Sequence, residues 1–100
     1  KIALMIIDKA LKESADNTEG FVNFARNIRG VDVAVMIKYA DDEVTRVSMR
    51  SKSVNVSEIA KSIGGGGHIR AAGATVYKNL MEAKDIVLNA IIKGMNKENA

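Results

Sequence analysis

Short apolar runs and amphipathic stretches take turns along this chain, and each change of period marks an element. Residues 1–7 (KIALMII) form an apolar, isoleucine-rich run that predicts a strand buried on both faces. Asp8 to Glu13 adds a turn or two of helix. Asp16-Asn17-Thr18-Glu19 has the form of a capping box, and Phe21, Phe24, Ala25 and Ile28 follow at helical spacing. A helix over about 18–29 is predicted, with those four side chains as its buried stripe and Gly30 ending it in a left-handed conformation.

From residue 31 the period changes to two. Val31, Val33, Val35, Ile37 and Tyr39 alternate with Asp32, Ala34, Met36 and Lys38, which predicts a strand. Ala40-Asp41-Asp42-Glu43 is a polar turn, and Val44 to Arg50 is the returning strand of a hairpin. There Thr45, Val47 and Met49 point one way while Arg46, Ser48 and Arg50 point the other. The plainest explanation of that basic face is a solvent-facing edge strand, where positive charge discourages strand-to-strand association.

Ser57 is placed to cap a short helix carrying Ile59, Ala60 and Ile63. Four consecutive glycines (64–67) follow, with a helix expected to start near His68 and a strand over Ala74 to Tyr77. Asn79, with Glu82 three residues on, caps a final helix whose stripe is Leu80, Ala83, Val87, Ala90 and Ile91. The tail from Lys93 is polar and is expected to fray. This order of elements predicts one α/β domain: a mixed sheet of about four to five strands covered by helices, with no internal repeat or domain boundary.

Composition narrows the function classes. The 100 residues are 47% hydrophobic and 27% charged, as in an ordinary globular domain. Without cysteine there is no disulfide framework, thiolate nucleophile or Cys-ligated metal. The longest apolar run, Ile2 to Ile7, is far short of the roughly 20 residues that span a bilayer, and it lacks the cleavage site of a signal peptide. A cytoplasmic location without membrane contact is therefore expected. The first residue is Lys rather than Met, so the chain reads as a piece of something longer.

Charge adds a direction. The window Arg46 to Arg70 holds Arg46, Arg50, Lys52, Lys61 and Arg70 against Glu58 alone, so the whole basic excess of this +3 chain lies there. Such a cluster favours anionic partners such as phosphates. Inside it stands the glycine run. Glycine carries the largest conformational-entropy cost, so four in a row suggest close approach by a ligand, with bare N–H groups cradling anionic oxygens. His68, the only histidine, follows directly and can donate to a phosphate or stack on a base.

Other chemistries are excluded. The run matches neither a Walker-type loop nor a dinucleotide fingerprint. A single histidine and dispersed carboxylates offer no metal-ligand spacing. None of Ser48, Ser51 and Ser53 has the elbow context of a hydrolase nucleophile. The residues themselves point to an anion-binding module without its own catalytic machinery.

Three segments carry a resemblance: Val47-Ser48-Met49-Arg50-Ser51-Lys52, the spacer Val54 to Ala60, and the block Gly64 to Gly73 containing Gly-Gly-Gly-Gly-His-Ile-Arg-Ala-Ala-Gly. Together they resemble the DHH-associated C-terminal domain of DHH-family phosphoesterases, most closely the nanoRNase, oligoribonuclease and phosphoadenosine-phosphatase branch. Asn17-Thr18-Glu19-Gly20 also resembles the family's entry into its first helix.

The resemblance implies the substrate-binding domain of a metal-dependent phosphoesterase acting on short oligonucleotides or nucleoside phosphates. It implies a separate N-terminal Asp-His-His domain holding two manganese ions, which this chain lacks, so the isolated domain is expected to be inactive and to bind no metal. Carried over, Arg50 contacts a substrate phosphate, supported by Ser48 and Ser51. Gly65, Gly66 and Gly67 bring backbone amides to the nucleotide, His68 touches its phosphate or terminal nucleotide, and Arg70 adds charge at the rim. The implied partners are the Asp-His-His domain and a short RNA, DNA or nucleoside phosphate, and a homodimer of the full-length protein is compatible with both. The alternative is a stand-alone single-stranded nucleic-acid-binding module or a domain of a RecJ-type exonuclease. Against the stand-alone module stands the expected burial of Phe21 and Phe24, which leaves few aromatics for stacking.

Overall fold

The computed structural model describes residues 1–14 and 19–99. The chain runs β1 (Ile2–Ile7), α1 (Lys9–Ser14), α2 (Glu19–Arg26), β2 (Val33–Asp41), β3 (Val44–Ser51), α3 (Val56–Ser62), β4 (Gly66–His68), β5 (Ala71–Val76) and α4 (Leu80–Asn99). The strands form one mixed sheet in the order β1-β2-β3-β5-β4. β1 lies parallel to β2, with α1 and α2 in the crossover, and every other pairing is antiparallel.

The two sheet faces are covered unequally. Val33, Val35 and Ile37 from β2, Val47 and Met49 from β3, and Ala72 and Val76 from β5 point to one face. Val56, Ile59 and Ala60 of α3 and Ala83, Val87 and Ile91 of α4 close over them as the main core. On the opposite face a smaller cluster joins Ile7, Ala34 and Met36 to Val22, Ala25 and Val31. The strand members of that cluster come from the β1–β2 end, and α2 over it is only eight residues long. Among the described residues the apolar cluster of this face does not extend over β5 and β4.

This asymmetry corrects the reading of the first strand. The strand buried on both faces is β2, where Val33 to Ile37 are all inaccessible, whereas β1 stands at the sheet edge with Leu4 and Ile6 exposed. Apolar composition is the same in both, and only the strand order separates them. The basic alternation on β3 is as expected, with Thr45, Val47 and Met49 buried. The edge explanation for it fails, since β3 is the central strand of five.

The second helix also turns differently. Val22 and Ala25 enter the core, while Phe21 and Phe24 are 53% and 71% exposed and Ile28 is exposed too. Two apolar stripes overlap on this helix, and the narrow Val–Ala pair permits the close approach to Ala34 and Met36. The expected capping box at 16–19 falls outside the described residues, since nothing is described of 15–18. Gly30 does adopt a positive φ of 85°.

Helix α3 begins two residues earlier than expected. Asn55 is its N-cap and accepts from the Glu58 N–H at 3.2 Å. Ser57 lies inside the helix, where its hydroxyl donates to the Gly67 carbonyl at 3.1 Å. No helix starts at His68, because the segment forms β4 and pairs with β5. At the far end α4 does not fray at Lys93. Met95 packs against the core and Gly94 faces Ile59 so closely that a Cβ there would sit 2.5 Å from Cγ1.

Asn79 caps α4 as expected: its side chain accepts from the Glu82 N–H at 2.9 Å and donates to the Glu82 carboxylate at 3.0 Å. Asn79→Ala should therefore cost about 1 kcal/mol, read as a lower denaturant midpoint with an unchanged slope.

Candidate functional site

The site is built on the β3–β5–β4 part of the second sheet face. Residues directly opposite in antiparallel strands share a face, so the register gives three rows across it. The first is Ala34–Arg50–Ala71–His68, the second Met36–Ser48–Gly73–Gly66, and the third Lys38–Arg46–Thr75. Between the basic strand β3 and the short edge strand β4 runs a floor of small residues, Ala71 and Gly73. Arg50 and His68 face each other across Ala71, two strand spacings or about 10 Å apart.

The third row opens into a groove of about 580 Å³, lined by Lys38, Arg46, Ser48, Thr75, Tyr77 and the Gly64–Gly65 turn, among others. Two cations and no carboxylate stand in this lining. Ser48 belongs both to the groove and to the row beside Arg50, so the two form one continuous trough. Arg50 is half-buried, and one guanidinium N–H donates to the carbonyl of Met49 at 2.8 Å. His68 and Arg70 are exposed.

Ser51 is placed elsewhere. Its side chain turns to the opposite face, is buried, and donates to the Val54 carbonyl. It shapes the turn after β3 and does not line the trough with Arg50. Arg70 sits in the β4–β5 turn, where its carbonyl accepts from the Ser51 N–H at 3.0 Å.

The glycine run divides into distinct jobs. Gly64 has φ +88° and its N–H donates to the Lys61 carbonyl at 3.2 Å, while the Gly65 N–H donates to the Ala60 carbonyl at 2.7 Å. This is a Schellman motif closing α3. The amides of Gly64 and Gly65 are therefore consumed by a helix end and do not cradle a ligand. A Cβ on Gly65 would lie 2.1 Å from the Gly73 oxygen, and one on Gly67 2.7 Å from Ala72 Cα. The close approach inferred from the sequence is thus made at these two positions by β5 itself. Gly66 is the exception: its φ is not positive, and a Cβ would meet nothing within 4 Å. It faces the trough, and neither packing nor backbone requires glycine there.

Among the described residues no three His, Cys, Asp or Glu side chains come together to hold a metal, and no helix is long and apolar enough to cross a membrane. Lys38, Arg46, Thr75 and Tyr77 are the lining residues that sequence reasoning left out of the site. The alternation of β2 placed Lys38 with Met36, and only the β2–β3 register adds Arg46 to that row. Tyr77, 75% exposed, is the aromatic of the groove, and the exposed Phe21 and Phe24 lie outside its lining. The burial argument against stacking aromatics no longer holds.

Comparison with known proteins places these features in context. Residues 3–96 match the model of a family described as the DHHA1 domain. The chain is 35% identical over 92 residues to the bifunctional oligoribonuclease and PAP phosphatase NrnA of Thermus thermophilus, covering 87% of this chain and 28% of that protein. An exopolyphosphatase-related protein from Bacteroides fragilis superposes with a TM-score of 0.81 at 28% identity, over 92% of this chain and 28% of the other. The C-Ala domain of Aquifex aeolicus alanyl-tRNA synthetase has the same fold, with a TM-score of 0.65 at 14% identity, over 89% of this chain and 88% of that one. The chain thus spans little more than a quarter of NrnA.

Proposed function

Since this chain belongs to the DHHA1 domain family, we propose that it is the substrate-holding C-terminal domain of a DHH-type phosphoesterase acting on short oligonucleotides or nucleoside phosphates. The observation that carries this reading is the row Arg50–Ala71–His68 beside Ser48–Gly73–Gly66 on the sheet face opposite the main core. It combines a guanidinium, an imidazole and a hydroxyl around a floor without large side chains.

In this reading Arg50 donates to a phosphate oxygen, a charge-assisted contact that its planar fork makes well. His68 contacts the same phosphate or the terminal nucleotide from the other wall. Ser48 donates from the floor, and Gly66 leaves space for the ligand where a side chain would fill it. Arg70 adds positive charge at the rim, and Ser51 acts only by holding the turn that follows Arg50.

Hydrolysis belongs to an Asp-His-His domain outside this chain. In this reading that domain also holds the manganese pair that the family implies. No step of the chemistry is assigned to this domain. Its work is to bind, orient and exclude water. The protein works in the cytoplasm with that domain as its partner.

The test is the salt dependence of binding. A 5′-phosphorylated short RNA should bind the chain saturably, and log K should fall linearly with log salt. Each phosphate neutralised on a single strand contributes a slope of about −0.7, so two contacts give about −1.4. Arg50→Ala should lower the slope by one contact. A slope near zero, or an unchanged one in Arg50→Ala, contradicts this reading.

A further inference from the structure

We propose that the groove beyond Ser48, formed by Lys38, Arg46, Thr75 and Tyr77, is a second subsite that takes the next backbone phosphate and base of an oligonucleotide whose first phosphate lies between Arg50 and His68. The inference rests on the proposed function and assigns a ligand to the part of the trough that the glycine–histidine block does not reach.

Three observations carry it. The groove is large, about 580 Å³, and is continuous with the Arg50 row through Ser48. Its lining holds two cations, Lys38 and Arg46, and no carboxylate, so its field is one-signed. Arg46 and Arg50 are four residues apart on β3, about 13 Å at 3.2–3.4 Å per residue. That spacing suits a ligand with phosphates at separate positions, such as an oligonucleotide or an inorganic polyphosphate.

Tyr77 chooses between those two. It follows β5 directly, is 75% exposed, and lines the groove together with the Gly64–Gly65 turn. An exposed ring beside two cations gives a base a stacking surface, which a polyphosphate does not use. Gly73 keeps the floor between the Arg50 and Arg46 rows low enough for a chain to pass, and the Thr75 hydroxyl is a further donor. The subsite makes the trough a gauge of length: a mononucleotide engages one end, a trinucleotide both.

The experiment compares three probes on the whole chain by calorimetry: adenosine monophosphate, a 5′-phosphorylated trinucleotide and inorganic tripolyphosphate. The trinucleotide should bind at least tenfold more tightly than the monophosphate. Arg46→Ala should collapse that ratio several-fold, and Tyr77→Ala should weaken the trinucleotide about tenfold while leaving tripolyphosphate unchanged. Equal affinities of the mono- and trinucleotide, with monophosphate binding intact, overturn the second subsite and leave the proposed function standing. Tight tripolyphosphate binding together with an inert Tyr77→Ala overturns the base assignment. Binding of none of the three overturns both readings.

Discussion

Gly65→Ala should unfold much of this domain's stability, whereas Gly66→Ala, one residue on, should leave it intact and remove ligand binding. At Gly65 the new Cβ would lie 2.1 Å from the Gly73 oxygen and 2.7 Å from Ala74 Cα, both backbone atoms that cannot rotate away. Relief requires separating β5 from the α3–β4 turn, and a cost of about 3 kcal/mol or more follows for overpacking against backbone. For a domain of this size each kcal/mol corresponds to roughly 4–8 °C in Tm, so the shift is large. At Gly66 the Cβ enters open space, and reduced freedom of the unfolded chain makes the change neutral or stabilising by up to about 1 kcal/mol. That same Cβ stands on the trough face in the row of Gly73 and Ser48. Thermal melts and phosphate-ligand titrations of the two variants check the contrast. A stable Gly65→Ala that fails to bind would return the Gly65 amide to the ligand.

In the DHH-type phosphoesterase that the proposed function implies, Arg50→Ala and His68→Ala should each lower kcat/KM by ten- to a hundredfold without unfolding this domain. A hydrogen bond to a charged group is worth about 1.5–3 kcal/mol, and each 1.4 kcal/mol is a factor of ten. The fold should survive because neither side chain is a member of the two apolar clusters. Arg50→Lys should recover only part of the loss, since an ammonium cannot present the planar fork. Activity unchanged in both alanine variants contradicts their assignment. Circular dichroism of the same samples separates lost contacts from lost structure.

The parts of this account that were legible in the sequence are those fixed by local periodicity. The alternation Arg46, Ser48, Arg50 against Thr45, Val47, Met49 requires only that β3 be a strand, and the Asn79–Glu82 cap requires only four residues. What depends on pairing between segments was out of reach. Arg50 and His68 are eighteen positions apart, and only the β3–β5 and β5–β4 registers put Ala71 between them. The β2–β3 register likewise brings Lys38 to Arg46 and so defines the groove.

The glycine run shows the limit most clearly. From the sequence its four residues are equivalent and suggest a cradle. In the fold one sits at a positive φ closing α3, two are pressed against β5, and Gly66 alone opens to the trough. Likewise Phe21 and Phe24 have the spacing of a buried stripe. The sheet under α2 accepts Val22 and Ala25 instead, because their small side chains bring the helix close to Ala34 and Met36.

The most direct test of the central claim, that the β3–β5–β4 face opposite the main core holds the ligand phosphate, is an amide-shift titration of the chain with a 5′-phosphorylated short RNA. The account predicts saturable shifts at Ser48, Arg50, Gly66, Ala71, Gly73 and His68, with the groove between α3 and α4 at Lys61 and Lys93 unchanged. Shifts confined to the α3–α4 groove, or none on the sheet face at millimolar ligand, would contradict it.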